Sequence, residues 1–177
     1  FGLSVMVRRN KTIFIADTLV NETPNAEDLA AMAIQAAEKA RRLGHEPRVA
    51  LLSFSNFGQP MHERADRIRN AVAMLGEREV DFEFDGEMSA DVALDYDLMK
   101  RLYPFCNLTG PANILIMPGL HTANVSAKLL QKMSASTLLG PLLLGLEQPA
   151  QVVQMGASVS DIVNAAALAA FQSLEDQ

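Results

Sequence analysis

Four stretches of the 177-residue chain carry side chains whose type and spacing allow chemistry. Ser55-Asn56-Phe57-Gly58 offers a hydroxyl, an amide and a glycine between an apolar run and a helical pattern. Such a loop can turn backbone N–H groups toward an anion, with a helix dipole behind it. It lacks the GxxxxGKS/T of a Walker loop and serves equally as an ordinary strand-to-helix turn. Asp85-Gly86-Glu87, with Asp91 four residues on, supplies paired carboxylates for acid–base work if burial raises one of them. The same residues suit a solvated turn in which Gly86 takes a positive φ. Asn124 and Lys128 lie one helical turn apart and can face the same crevice beyond the strand ends, with Lys128 the obvious cation there. Gly156-Ala157-Ser158 opens the last helical pattern. Ser158 with Asp161 forms an S-x-x-D capping arrangement that accounts for both residues.

Other chemistries are disfavoured. His45, His62 and His121 show no paired metal-ligand spacing, and Cys106 stands alone, so an internal disulfide or a CxxC zinc site is excluded. A reducing cytoplasm is the expected location. The net charge of −6 argues against nucleic acid as a partner. No apolar run approaches the roughly 18–20 residues of a membrane span. The longest, 138–146, is broken by Gly140, Pro141 and Gly145. No signal-peptide core is present, and the absence of an initiator Met suggests a piece of a longer protein.

With 49% hydrophobic and 20% charged residues the chain can bury a core. Short apolar runs at 12–17 (TIFIAD), 48–53 (RVALLS), 112–117 (ANILIM) and 141–144 suit strands covered on both faces. Residues 80–85 (VDFEFD) alternate, as in a strand nearer an edge. Helical stripes lie between them. Residues 26–43 align Leu29, Met32, Ala33, Ala36, Ala37, Ala40 and Leu43, with Thr23-Pro24 or Asn25 and Asp28 to start the helix and Gly44 to end it. Residues 63–75 point Ile68, Ala71, Val72 and Leu75 inward. Residues 122–133 use Val125, Leu129, Leu130 and Met133, and 159–174 use Ile162, Val163, Ala166 and Ala170. A weak helical pattern (Val92, Leu98, Leu102) crosses the acidic stretch 81–103. This alternation predicts an α/β domain with a mostly parallel sheet flanked by helices. The ends, 1–11 and beyond Ala170, are where a neighbouring domain would attach.

The order of motifs resembles that of phosphate acetyltransferases across nearly the whole chain. PRVALLSFSNFG, DFEFDGEMSADVAL, LTGPANILIMPGLHTANVSAKLLQKM, LLGPLLLGLEQPAQVV and MGASVSDIVNAAALAA are collinear with that family. In detail, SFSNFG and DGEMSADVAL look most like the carboxy-terminal phosphotransacetylase-like domain of hybrid bacterial NADP-dependent malic enzymes. The resemblance implies a phosphotransacetylase-like lobe, of the isocitrate/isopropylmalate dehydrogenase type, over residues 1–177. It would be mainly the later of two lobes that enclose a CoA cleft. Active transferases carry a Ser-Arg pair where this chain has Gln154-Met155, and a Ser-Thr-Lys-Gly type loop where it has Ser55-Asn56-Phe57-Gly58. By the same resemblance Asp161 would be the base on the CoA thiol. Without the arginine it is vestigial, since methionine cannot replace a bidentate oxyanion partner.

Three functions follow as expectations. The first is an inactive, acetyl-CoA-sensing regulatory and oligomerisation domain of a malic enzyme. The parent would oxidise and decarboxylate malate to pyruvate, with NADP and a divalent metal held outside this chain. Acetyl-CoA would contact Ser55, Asn56, Gly58, Asn124, Lys128, Gly156 and Ser158. The second is a working phosphate acetyltransferase. The third is a purely structural dimerisation module. A homodimer through this domain, and a larger homo-oligomer of the parent, are implied in the first case.

Overall fold

The computed structural model describes residues 1–134, 136–153 and 155–175. A hairpin opens the chain, β1 (Gly2–Arg8) and β2 (Lys11–Ala16), followed by α1 (Ala26–Arg42), β3 (Arg48–Leu52) and α2 (Glu63–Glu77). Then come β4 (Glu83–Met88), α3 (Ala90–Leu94), α4 (Tyr96–Leu102), β5 (Ile114–Ile116), α5 (Leu120–Met133), β6 (Thr137–Leu143) and α6 (Val159–Glu175). The sheet runs β4-β3-β5-β2-β1-β6. Pairings β3·β4, β3·β5 and β2·β5 are parallel, whereas β1 runs antiparallel to both β2 and β6. The expected mostly parallel α/β sheet is what forms.

Its apolar strands are continuous because both faces are covered. On one face Leu3, Phe14, Val49, Leu51, Ile114 and Ile116 meet α1 and α2. On the other, Met6, Ile15, Ala50, Leu52 and Leu115 meet Val92, Ala93, Met99 and Ala123. The stripe of α1 is buried as its spacing predicts, and its alanines let it lie close to the sheet. Asn25 and Asp28 close a reciprocal capping box at its start. At its end the Gly44 N–H donates to Arg41 O and the His45 N–H to Ala40 O, with Gly44 at φ 83°, a Schellman turn.

Several expectations need correction. Residues 1–11, read as an end where a neighbouring domain would attach, also supply β1, a strand within the sheet that the apolar runs did not predict, with Leu3 and Ser4 buried. Only two residues, Arg9 and Asn10, separate the Arg8↔Lys11 pair from its hairpin end. The acidic strand is Glu83–Met88 instead of 80–85, because parallel pairing to β3 (Arg48↔Glu83, Leu52↔Met88) outweighs the alternation of the aromatics Phe82 and Phe84. The last strand spans Thr137–Leu143 and passes through Pro141, which the edge position of β6 tolerates.

The greatest departure concerns α5 and α6. The apolar stripes read from the sequence face outward here: Val125, Leu129, Leu130 and Met133 on α5, and Ile162, Val163, Ala166 and Ala170 on α6, a helix whose face suits a subunit interface as well as a core. α5 buries Ala123 and Ala127 instead. The physical reason is steric economy: small residues bring α5 close to the sheet, and the bulky stripe is left facing outward.

Candidate functional site

The turn after β2 is built around Asp17, which is 1% exposed. Its carboxylate accepts from the backbone N–H of Gly2, Leu19, Val20 and Asn21 and from the Asn21 amide, at 2.7–3.1 Å. Burial works to raise its pKa, but the bonds from Leu19, Gly2, Asn21 and Val20 outweigh it and hold the carboxyl below its ordinary value. Asp17 is therefore a fixed anionic knot, and it sets the positions of Thr18 and Leu19.

Those two residues line a cavity of about 320 Å³ with Ser4, Asn124, Ala127, Lys128, Leu138, Pro141 and Val152. A cavity of about 370 Å³ shares Lys128, Leu138, Pro141 and Val152 and adds Lys132, Gln151, Gly156, Asp161 and Asn164. Together they form one crevice between α5, β6 and the start of α6. Lys128 lines both cavities, with Asn124 at the first and Gly156 and Asp161 at the second. A side chain at Gly156 would meet no atom within 4 Å, so the backbone there lies open.

Ser158 lines neither cavity. Its hydroxyl donates to Asp161 Oδ2 at 2.7 Å, its N–H donates to the same oxygen at 2.8 Å, and the Asp161 N–H donates back to Ser158 Oγ at 3.2 Å. This is the expected capping box. The Ser158 hydroxyl, and then its N–H, hold the Asp161 carboxyl below its usual range, which makes it a weaker base. Gln154 lies outside the described residues, and Met155 is fully exposed.

Ser55, Asn56 and Gly58 also line neither cavity; they are bound into the fold. Ser55 Oγ, the Gly58 N–H and Arg69 Nη1 donate to Glu87 Oε1 at 2.8, 2.9 and 3.0 Å. Asn56 Oδ1 accepts from the N–H and hydroxyl of Ser89. The solvated-turn reading of Asp85-Gly86-Glu87 is overturned, since Asp85 is 7% and Glu87 0% exposed within β4. Gly86 is required by its φ of 149° and because a Cβ would sit 2.6 Å from Leu51 O. The acid–base reading fares no better: Asp85 is capped by the N–H of Gly86 and Asn107, and Asp91 is exposed at the start of α3.

Comparison with known proteins decides the family. A family model described as phosphate acetyl/butaryl transferase matches residues 2–170. The chain belongs to that family. A phosphotransacetylase from Streptococcus pyogenes superposes with a TM-score of 0.93 at 30% identity, over 98% of this chain and 54% of that one. An NADP-dependent malic enzyme of Rhizobium meliloti is 50% identical over 172 residues, 97% of this chain but 22% of that protein. A phosphate acetyltransferase of Paracoccus denitrificans is 43% identical over 151 residues, 48% of its length. The chain therefore spans about half of the transferases and less than a quarter of that malic enzyme. Among the described residues no helix is long and apolar enough to cross a membrane.

Ser4, Thr18, Lys132, Gln151 and Asn164 also line the crevice and do not stand out in the sequence reading. Lys132 was findable, one helical turn beyond Lys128. Ser4 and Thr18 had no local signal, because the sheet order alone puts β1 beside the crevice.

Proposed function

We propose that this chain is an acetyl-CoA-sensing regulatory and oligomerisation domain of a cytoplasmic NADP-dependent malic enzyme, with no transferase activity of its own. One observation supports the reading: groups able to hold an anion line the crevice, Lys128 both of its cavities, Asn124 one and the open Gly156 backbone the other, whereas the reactive groups do not gather there. Met155 stands in the family arginine's place, and Asp161 is tied to Ser158. The crevice can therefore hold a ligand without turning it over. The oxidative decarboxylation of malate to pyruvate, with NADP and a divalent metal, is assigned to the remainder of the enzyme. Among the described residues no group of three His, Cys, Asp or Glu could hold a metal.

Acetyl-CoA in the crevice acts on a distant site only by binding one arrangement of lobes or subunits more tightly. A coupling of about 1–3 kcal/mol, roughly 5–150-fold in affinity, is usual. Malate oxidation followed by NADPH absorbance, with and without acetyl-CoA, tests this. Lys128→Ala is expected to bring the ratio of the two rates close to one. A wild-type ratio in that variant removes the crevice from the regulation.

Retention of Asp161 favours an active phosphate acetyltransferase as a second reading. The exposed helix faces favour the oligomerisation role in either case. Val125, Leu129 and Met133 on α5, with Val159, Ile162 and Val163 on α6, are 48–83% exposed. Apolar surface of this kind is normally covered by a partner. The 177-residue chain is expected to be a homodimer, and the whole enzyme a larger homo-oligomer. Light scattering at micromolar concentration that gave the mass of one chain would remove the dimer.

A further inference from the structure

Two hydroxyls sit on the sheet side of the crevice with almost no access to bulk water. Ser4 on β1 is 2% exposed and Thr18, just beyond β2, is 4% exposed. Their oxygens are 2.8 Å apart, and either can donate to the other. Thr18 Oγ1 can also donate to Gly2 O at 3.2 Å, but that carbonyl already accepts the Thr18 N–H at 2.9 Å. When the Thr18 hydroxyl turns to Ser4, the Ser4 hydrogen is released, and the pair has one donor to give. Both residues line the cavity of about 320 Å³ whose other walls are chiefly Leu19, Ala127, Leu138 and Pro141, with Asn124 and Lys128 as its remaining polar residues.

From this geometry we propose that the Ser4–Thr18 pair reads the acyl carbonyl of a short-chain acyl thioester, and so makes the crevice discriminate acylated from free CoA. The inference rests on the acyl-CoA reading of the crevice and deepens it. A short acyl group brings a carbonyl oxygen that needs a donor and a hydrocarbon end that suits the apolar walls. A free thiol brings neither. With a free thiol the two hydroxyls stay bonded to each other and to Gly2 O, so only the acylated ligand gains a bond from the pair, and the preference is the size of that one bond. No bond is made or broken in this recognition.

The test is calorimetric titration of acetyl-CoA and of CoA into the full-length chain, as wild type, Ser4→Ala, Thr18→Val and Thr18→Ser. The wild type is expected to prefer acetyl-CoA. Ser4→Ala and Thr18→Val should each weaken acetyl-CoA binding about five- to tenfold, the size of one hydrogen bond. CoA affinity should stay at the wild-type value, and Thr18→Ser should retain the preference. An unchanged preference in both Ser4→Ala and Thr18→Val overturns the assignment. So does an equal loss for both ligands, which marks a merely structural pair. If the wild type binds neither ligand, the acyl-CoA reading itself fails and this inference goes with it. Melting temperatures of the variants separate loss of recognition from loss of fold.

Discussion

Replacing Glu87 by alanine is expected to destabilise the domain by about 2–4 kcal/mol, because it leaves buried donors without their acceptor. Glu87 is fully buried, and its Oε1 gathers the Arg69 guanidinium, the Ser55 hydroxyl and the Gly58 N–H. Deleting the carboxylate leaves the Ser55 hydroxyl and the Gly58 N–H without their acceptor and takes one of two carboxylate partners from Arg69, which keeps Asp66. It also frees the 55–58 loop from its anchor to β4. Glu87→Gln keeps one acceptor oxygen and should cost about 1–3 kcal/mol. Because Oε2 has no hydrogen-bond partner, little else is lost at that atom. Urea unfolding of the two variants measures both numbers. A midpoint for Glu87→Ala within error of wild type contradicts the anchoring role.

The second large effect is chemical. Mixed with acetyl-CoA and phosphate, the protein should release CoA no faster than the phosphate-free control. Loss of a single preorganised oxyanion donor typically lowers turnover about 10²–10³-fold, and an arginine that grips an anion bidentately does more than one donor. By the family resemblance of the sequence, the residue at that place is Met155, which is fully exposed. The remaining candidate base, Asp161, has its pKa lowered by Ser158, away from the range needed to take a thiol proton. Thiol release followed with dithionitrobenzoate settles the matter. Phosphate-dependent release at an enzymatic rate would sink the sensor-only reading and leave the transferase.

Local patterns in the sequence were reliable where one segment carries its own information. The α1 stripe, the Asn25–Asp28 and Ser158–Asp161 capping boxes and the Gly44 stop all depend on residues within a few positions of one another. Parallel strands such as β3 were legible because burial on both faces leaves a continuous apolar run. What failed depended on partners far away in the chain. The limits of β4 are set by β3, and the burial of Glu87 by Arg69 and Ser55. Hydrophobic periodicity reports that a helix face avoids water, and it does not say what covers that face. The α5 and α6 stripes are apolar faces of this kind, and the sheet does not cover them. The candidate site divides the same way. Asn124 and Lys128, read from strand-end logic, and Gly156, read as the start of the last helix, all line the crevice. Ser55, Asn56 and Gly58 obeyed that logic too but were claimed by Glu87 and Ser89.

The place of β1 has a consequence for how the molecule breathes. β6 is an edge strand whose sheet neighbour is β1, and α6 rests on β6 more than on the central strands. Local opening energies in a native protein follow such divisions. Opening of this detachable edge unit, β6 with α6, is expected to cost less than global unfolding, and the crevice lies along the seam between it and the rest. In hydrogen-exchange terms, the amides of β6 are protected by β1 and those of β3 and β5 by the whole sheet. A ligand lodged on the seam would slow exchange in the detachable unit first and leave the central strands almost untouched.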